Sequence, residues 1–375
     1  MTGGAFLRLL SGLWLLLCFN MAADALEFSG QSANLVMGSK NSLQQQGISG
    51  LERVRLKVAH TAGSWSGQLA YDHEAVWGAM VRDPLFPLQA AQPQPTFFDA
   101  TATVRQSRSL YWQHTLYRGW IQFDNRKVRV TAGRQRIAWG SGRIWNPTDR
   151  FNPVQPTALE VDQKLGVDAL NAEWRYASAG SVQAVLAPGR PAAAVSRKLA
   201  LRWRDTLADT DVAVLAARIG GESVVGADLT GNWFDAGWRL EGMQAWQHGG
   251  RSYGQCVIGV DYTWMNAWLP QGLYLAVEYF YNGAAAWPVT HDRLQSRSAH
   301  LLGSMAGYDL TPLLRLDLLL INDLQQASWF ASPSLTWSVV ENVDLKLFSQ
   351  LPGGRGAGEF GLLKALYALR IDWYF

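Results

Sequence analysis

Between Leu313 and Ile321 the chain reads LLRLDLLLI, with Leu314, Leu316, Leu318 and Leu320 on one parity and Arg315 and Asp317 on the other. A β-strand sends successive side chains to opposite faces, so this spacing predicts a strand with a leucine face and an ionic face. Val54, Leu56 and Val58 alternate in the same way with Arg53, Arg55 and Lys57, and Leu199, Leu201 and Trp203 with Lys198, Arg202 and Arg204. Leu273, Leu275, Val277, Tyr279 and Tyr281 oppose Glu278; Val343, Leu345 and Leu347 oppose Asp344 and Lys346; Leu335, Trp337 and Val339 oppose Ser334, Thr336 and Ser338. No long segment keeps a 3.6-residue period, so the chain reads as all-β.

The breaks between these segments alternate in length. Short turns fall at Ala62-Gly63, Asp124 to Lys127, Ser178 to Gly180, Ala208 to Thr210, Phe234 to Ala236, Leu269 to Gln271, Thr311-Pro312 and Val340 to Asn342. Mostly longer connections lie between them, including Gly78 to Ser107, Trp139 to Leu165 and Gly283 to Ser298; Gly220-Gly221 is the short exception. The bookkeeping predicts an antiparallel transmembrane barrel of about 18 strands, with 16 as the alternative if two weak strands merge, and with short periplasmic turns and longer outer loops. Closure also answers a physical demand, because an open sheet edge would leave backbone groups unpaired in lipid at several kcal/mol each. Aromatic residues gather near the proposed strand ends, among them Trp65, Trp77, Trp120, Trp264, Trp268, Trp329 and Trp373, as ring side chains do at the headgroup level. A soluble sandwich has no evident use for so many tryptophans.

The final segment places Tyr367, Leu369, Ile371, Trp373 and Phe375 on one parity, with Arg370 and Asp372 on the other, and stops at the aromatic residue. In this it resembles the last strand of Gram-negative outer-membrane barrels. The resemblance implies that these five residues form the signal read by the barrel-assembly machinery, and that the protein resides in the outer membrane among its lipids.

Composition narrows the picture further. Of 375 residues, 48 % are hydrophobic and only 17 % charged, below the roughly 25 % usual in soluble domains, which excludes disorder. Net charge is +3, too small to imply nucleic acid. Arg8 precedes an uncharged run from Leu9 to Phe19, and Ala23-Asp24-Ala25 offers small residues to a signal peptidase. Residues 1–25 therefore read as a secretory signal and 26–375 as the barrel. The run of about 11 residues is too short to span a bilayer as a helix, which takes ~20.

A barrel of this size encloses an aqueous lumen unless something fills it, so the inward residues should carry the function. Candidate pore-lining residues are Arg53, Arg55, Lys57, Arg134, Arg136, Arg202 and Arg204 on the wall, with Arg143, Asp149 and Arg150 on the long connection. The first reading of the inward charges is a ladder of cross-strand pairs. The bunching of cations on single strands adds an expected preference for anionic solutes, since guanidinium groups match carboxylate and phosphate. The segment Gly133 to Pro153, GRQRIAWGSGRIWNPTDRFNP, breaks the ladder with glycine and proline, and the connection from Trp139 to Leu165 is long enough to fold into the pore. Gly140-Ser141-Gly142-Arg143 is not a P-loop, because no helix with Lys-Ser/Thr follows it. The segment is similar to one in porin-like families related to the alginate-export barrels. That resemblance implies a passive channel for small hydrophilic solutes. The alternative is a sheath around a periplasmic partner, such as an electron-transfer or polysaccharide-export component. A facilitator for apolar compounds is disfavoured by the inward charges. The histidines show no metal-ligand spacing, there is no Gly-x-Ser-x-Gly elbow, and Cys18 and Cys256 make no metal or haem motif; enzyme activity, cofactor and metal are not expected.

Overall fold

The computed structural model describes residues 26–375 except 91–95, 154, 161, 162, 164, 192–194 and 286–295. The signal segment expected at 1–25 lies outside the described residues, as does His291. The strands run in sequence order as β1 (Glu27–Lys40), β2 (Gln46–Ala62), β3 (Trp65–Gly78), β4 (Thr101–Gln106), β5 (Leu110–Asp124) and β6 (Val128–Gln135). They continue as β7 (Val167–Arg175), β8 (Ser181–Ala187), β9 (Lys198–Leu207), β10 (Thr210–Ile219), β11 (Glu222–Trp233) and β12 (Ala236–Gln247). The last are β13 (Ser252–Asn266), β14 (Leu269–Asn282), β15 (His300–Thr311), β16 (Leu314–Asp323), β17 (Ser328–Val340), β18 (Val343–Gly354) and β19 (Leu366–Tyr374). A five-residue helix, α1 (Phe86–Ala90), lies between β3 and β4.

Each wall strand pairs antiparallel with its neighbours, and β1 pairs with both β2 and β19, so the sheet closes on itself. Phe375 completes the seam: its carbonyl accepts the Gly30 N–H at 2.6 Å and its own N–H donates back to Gly30 at 3.1 Å. A Cβ at residue 30 would stand 2.4 Å from the Phe375 ring, so glycine lets the terminal ring lie against the wall. Tyr367, Leu369, Ile371 and Trp373 are exposed on the outer face, where the alternation placed them. So are Leu199, Leu201, Leu316, Leu318 and Leu347.

Eighteen strands make the wall, as the alternation predicts, but the connection from Gly78 to Ser107 is not a plain loop. The ladder between β5 and β6 extends only from Gly119↔Arg134 to Asp124↔Arg129. Above it the edge of β5 is free, and β4 takes that edge, pairing Thr101↔Thr115 through Gln106↔Tyr111. The extra strand answers a shortage of height. β6 and β8 have 8 and 7 residues against 17 in β2. Seven tilted residues rise only about 18 Å, short of the ~25 Å apolar band of an outer-membrane barrel. The stretch before β4 extends the cover, since Phe98 N–H donates to Asp168 and Asp99 stands 3.7 Å from Arg190. The turn expected at Leu269 to Gln271 falls earlier, at Ala267-Trp268, because Asn266 Oδ1 accepts the N–H groups of Trp268 and Leu269.

The upper lumen is drier than the inward charges suggested. Val257, Phe280, Leu301, Ile321 and Phe330 point inward near the strand tops and pack with Ile144, Trp145 and Phe360. A second cluster joins Ile137, Trp139 and Phe151 to Val185, Val224, Met243 and Tyr253. Both clusters are built between the wall and the 136–153 segment, which thus folds inward rather than standing out as an external loop.

Candidate functional site

The segment from Arg136 to Gly166 crosses the inside of the barrel and is pinned on both sides. On one side two wall carboxylates, Glu241 of β12 and Glu278 of β14, have relative exposures of 0 % and 1 %. Glu241 accepts the N–H groups of Ser141 (3.0 Å), Gly142 (3.3 Å) and Thr148 (2.7 Å), and the Thr148 hydroxyl at 2.7 Å. Glu278 accepts the N–H groups of Arg143, of Ile144 (2.8 Å) and of Trp145 (3.3 Å). Successive backbone N–H groups curled around an anion form a nest. The Gly-Ser-Gly-Arg stretch is therefore an anion cradle after all, and the anions it holds are the chain's own side chains. Glycine is required there. Residue 140 has φ of 91°, and a Cβ on it would sit 2.6 Å from the Glu241 carboxylate. At 142 a Cβ would meet the Trp145 carbonyl.

The Asn-Pro-Thr-Asp sequence then turns the chain. Asp149 N–H donates to the Asn146 carbonyl, and Asp149 Oδ1 accepts the N–H groups of Phe151 and Asn152. Further along, Glu160 reaches the opposite side. It binds Arg53 of β2 with both oxygens and Arg370 of β19 at 2.9 Å, while Gln350 of β18 donates to the carbonyls of Thr157 and Ala158. Open volume remains around this bridge. A cavity of about 450 Å3 lies between the 156–163 stretch and the inner faces of β16 to β19, with Ser334, Thr336, Lys346 and Phe348 in its lining. Another of about 430 Å3 opens beside Arg143, Arg239, Asp261 and Asn232.

The ten candidate residues divide into three groups. Arg53 pairs with Glu74 and Glu160, Arg55 with Asp72, Arg202 with Asp228, Arg204 with Glu173 and Arg143 with Asp261. Two of these acids lie on the adjacent strand and two on the next strand but one, two pairs involve the crossing segment, and none of the acids lies between the cations in sequence. Of this group Arg143 and Arg204 keep about half of their side chains exposed, 48 % and 53 %. The second group is structural. Arg134 and Arg150 are 2 % and 1 % exposed, salt-bridged to Asp168 and Glu222, and Asp149 is the turn cap just described. Lys57 and Arg136 form the third group: Lys57 is half-buried, Arg136 is exposed, and neither makes an ion pair among the described residues.

Sequence periodicity misplaces one stretch of wall. Ala70 pairs with Arg118 while Tyr71 pairs with Leu116, so Tyr117 is an extra residue in β5. Beyond a bulge the parity inverts. Arg118 and Trp120 therefore share the inner face with Ala70 and Gln68, although Trp120 was expected in the outer aromatic row. The Tyr117 ring lies under two guanidinium groups, 3.3 Å from that of Arg55 and 4.1 Å from that of Arg118. The bulge leaves carbonyls unmatched where β5 and β6 part, and arginines fill them: Arg118 donates to Tyr117 O and Leu165 O, and Arg134 to Leu116 O and Phe98 O.

Among the described residues no cluster of His, Cys, Asp and Glu could hold a metal ion. No family model and no curated protein matches the chain. Solved structures do. OccK9 (OpdG) of Pseudomonas aeruginosa superposes with a TM-score of 0.59 at 11 % identity, over 93 % of this chain and 98 % of that one. OccAB4 of Acinetobacter baumannii gives 0.58 at 7 %, over 95 % and 100 %. The outer membrane protein OprD of Pseudomonas aeruginosa gives 0.54 at 7 %, over 93 % of each. The chain therefore has the fold of the Gram-negative outer-membrane porins, a closed barrel of eighteen wall strands.

Proposed function

We propose that the protein is an outer-membrane channel for the passive passage of small hydrophilic solutes, with a preference for anions. The observation that carries this reading is the 136–166 segment, which is held across the lumen by Glu241 and Glu278 on one side and by Arg53 and Arg370 on the other. We read such a bridge as a constriction that leaves a path, because polar volume remains beside it. Residues 1–25 act as the export signal, and the Tyr367 to Phe375 parity is what the assembly machinery reads. The greasy outer face and ionic inner wall suit a bilayer outside and water inside.

The anion preference rests on fewer residues than the cation count suggests, because Arg53, Arg55, Arg202 and Arg204 are matched by acids. Lys57 and Arg136 carry most of it, supported by the half-exposed heads of Arg143 and Arg204. A unit charge is worth roughly 0.5 kcal/mol to an ion ~8 Å away in water. Replacing Lys57 and Arg136 together with serine should therefore lower anion-over-cation permeability by about five-fold or more at low salt, with the effect fading as salt screens it. Reversal potentials across a salt gradient read this directly, and unchanged potentials would remove the anion preference. Liposomes loaded with the protein should swell in small polyhydroxylated or carboxylated solutes, and failure to swell in any of them would remove the channel itself.

A second expectation concerns Arg53. Its guanidinium ties Glu160 of the crossing segment to β2, so Arg53→Ser loosens the far end of the bridge. Larger and noisier single-channel currents should result, with little change in ion selectivity. The opposite pattern would make Arg53 a selectivity residue instead.

A further inference from the structure

One sector of the outer wall breaks the apolar pattern. The outward positions of β16 are Leu314, Leu316, Leu318 and Leu320, and those of β9 are Leu199, Leu201 and Trp203. Across β2, β3 and β5 the corresponding row reads Val54, His73 and His114, fixed by the pairings Val54↔His73 and His73↔His114. The two imidazole rings stand 4.9 Å apart edge to face; His73 also meets the Trp112 ring, and His114 Nδ1 is hydrogen-bonded to the Tyr71 hydroxyl. Trp112 Nε1 is occluded and has no hydrogen-bond partner among the described residues. One row higher, Asn34↔Glu52 and Trp112↔Arg105 place an acid at one edge of the patch and a base at the other. His73 lies four residues below the girdle residue Trp77, about 13 Å along the strand, which sets it within the apolar band.

Polar and ionisable groups are costly against acyl chains, and in membrane proteins they face protein or water instead. No described segment of this chain pairs over the patch from outside: β4 lies in the plane of the sheet beside β5. We infer that the β1 to β5 sector is an interface with a second copy of this chain. The occupant must itself lie in the membrane, because the patch does, and this excludes a soluble periplasmic protein. The patch also complements itself. With Glu52 at one edge, Arg105 at the other and imidazoles between them, a two-fold axis sets the acid of each copy against the basic edge of the other, as an isologous contact requires.

The inference rests on the outer-membrane reading, and the test separates the two. The full chain is extracted from membranes in polymer-bounded nanodiscs without detergent, and its mass is measured for wild type and for the double variant His73→Leu, His114→Leu. Wild type should show two copies per particle. The double variant makes the sector as greasy as β16, and should insert normally but lose the two-copy peak. In parallel, Val54→Cys combined with Ala102→Cys, the two ends of the histidine row that a two-fold axis brings together, should give a disulfide-linked dimer on oxidation in a Cys256→Ser background, whereas Leu318→Cys on the far wall should not. A single copy per wild-type particle, a two-copy peak untouched by the leucines, or a cross-link of the Val54→Cys, Ala102→Cys variant to a different protein overturns the proposal. Recovery of the chain in the soluble fraction would instead overturn the outer-membrane reading beneath it.

Discussion

Replacing Glu241 and Glu278 together with alanine should at least double the single-channel conductance. Between them these carboxylates accept six backbone N–H groups and one hydroxyl from the crossing segment. Hydrogen bonds to a charged acceptor contribute about 1.5–3 kcal/mol each before water competes for the freed donors. The segment is continuous with the wall at β6 and β7, so losing its sockets on the far side frees the middle of the bridge rather than unfolding the barrel. The single variants should give intermediate currents. Glutamine at either site should be milder, because its carbonyl still accepts some of the donors while losing the charge. Planar-bilayer conductance reads the outcome, and a heat-modifiability shift on gels controls for an intact barrel. Unchanged conductance with an intact barrel would mean that the segment does not set the width of the path.

The second large effect is expected at Arg134, and it bears on stability rather than permeation. Arg134 is 2 % exposed and bonds both oxygens of Asp168 at 2.9 and 3.1 Å, the Leu116 carbonyl at 2.8 Å and the Phe98 carbonyl. It joins four chain segments where the β5 to β6 ladder stops. Breaking a buried pair by removing one partner typically costs 3–5 kcal/mol, because the other charge is left buried and unmatched. Arg134→Ala should therefore lower the unfolding free energy by about 4 kcal/mol in a urea titration of the folded barrel. Adding Asp168→Ala should recover part of that loss, since no isolated carboxylate remains. A fall below about 1 kcal/mol for the single variant would show that the wall is held there by other contacts.

Much of the wall was legible in the chain because two solvents sort the side chains. Leu314 to Leu320 and the Tyr367 to Phe375 ending can be assigned to a face by parity alone, since period two survives wherever one side meets lipid and the other water. Parity failed where the backbone changed phase. Nothing in Leu-Tyr-Arg-Gly-Trp reveals that Tyr117 is an extra residue, so Arg118 was overlooked and Trp120 was expected on the wrong face. Short β4 was hidden for a related reason: its six residues have no periodicity of their own and exist because β6 ends early. In the site, the inward direction of Glu278 could be read from its parity, but its role and that of Glu241 could not. Backbone N–H groups leave no sequence signature, so only the glycines at 140 and 142 hinted that the segment would curl around an anion. Arg134 and Arg150 looked like pore cations because composition does not distinguish a guanidinium bathed in water from one filling a gap between strands.

A single-channel recording of the purified wild-type protein in a planar bilayer tests the open path most directly. Discrete, ohmic current steps are expected from a water-filled path that persists beside the pinned 136–166 segment. A protein that inserts as an intact barrel and yet passes no ions, at either polarity and in any of several electrolytes, would contradict it.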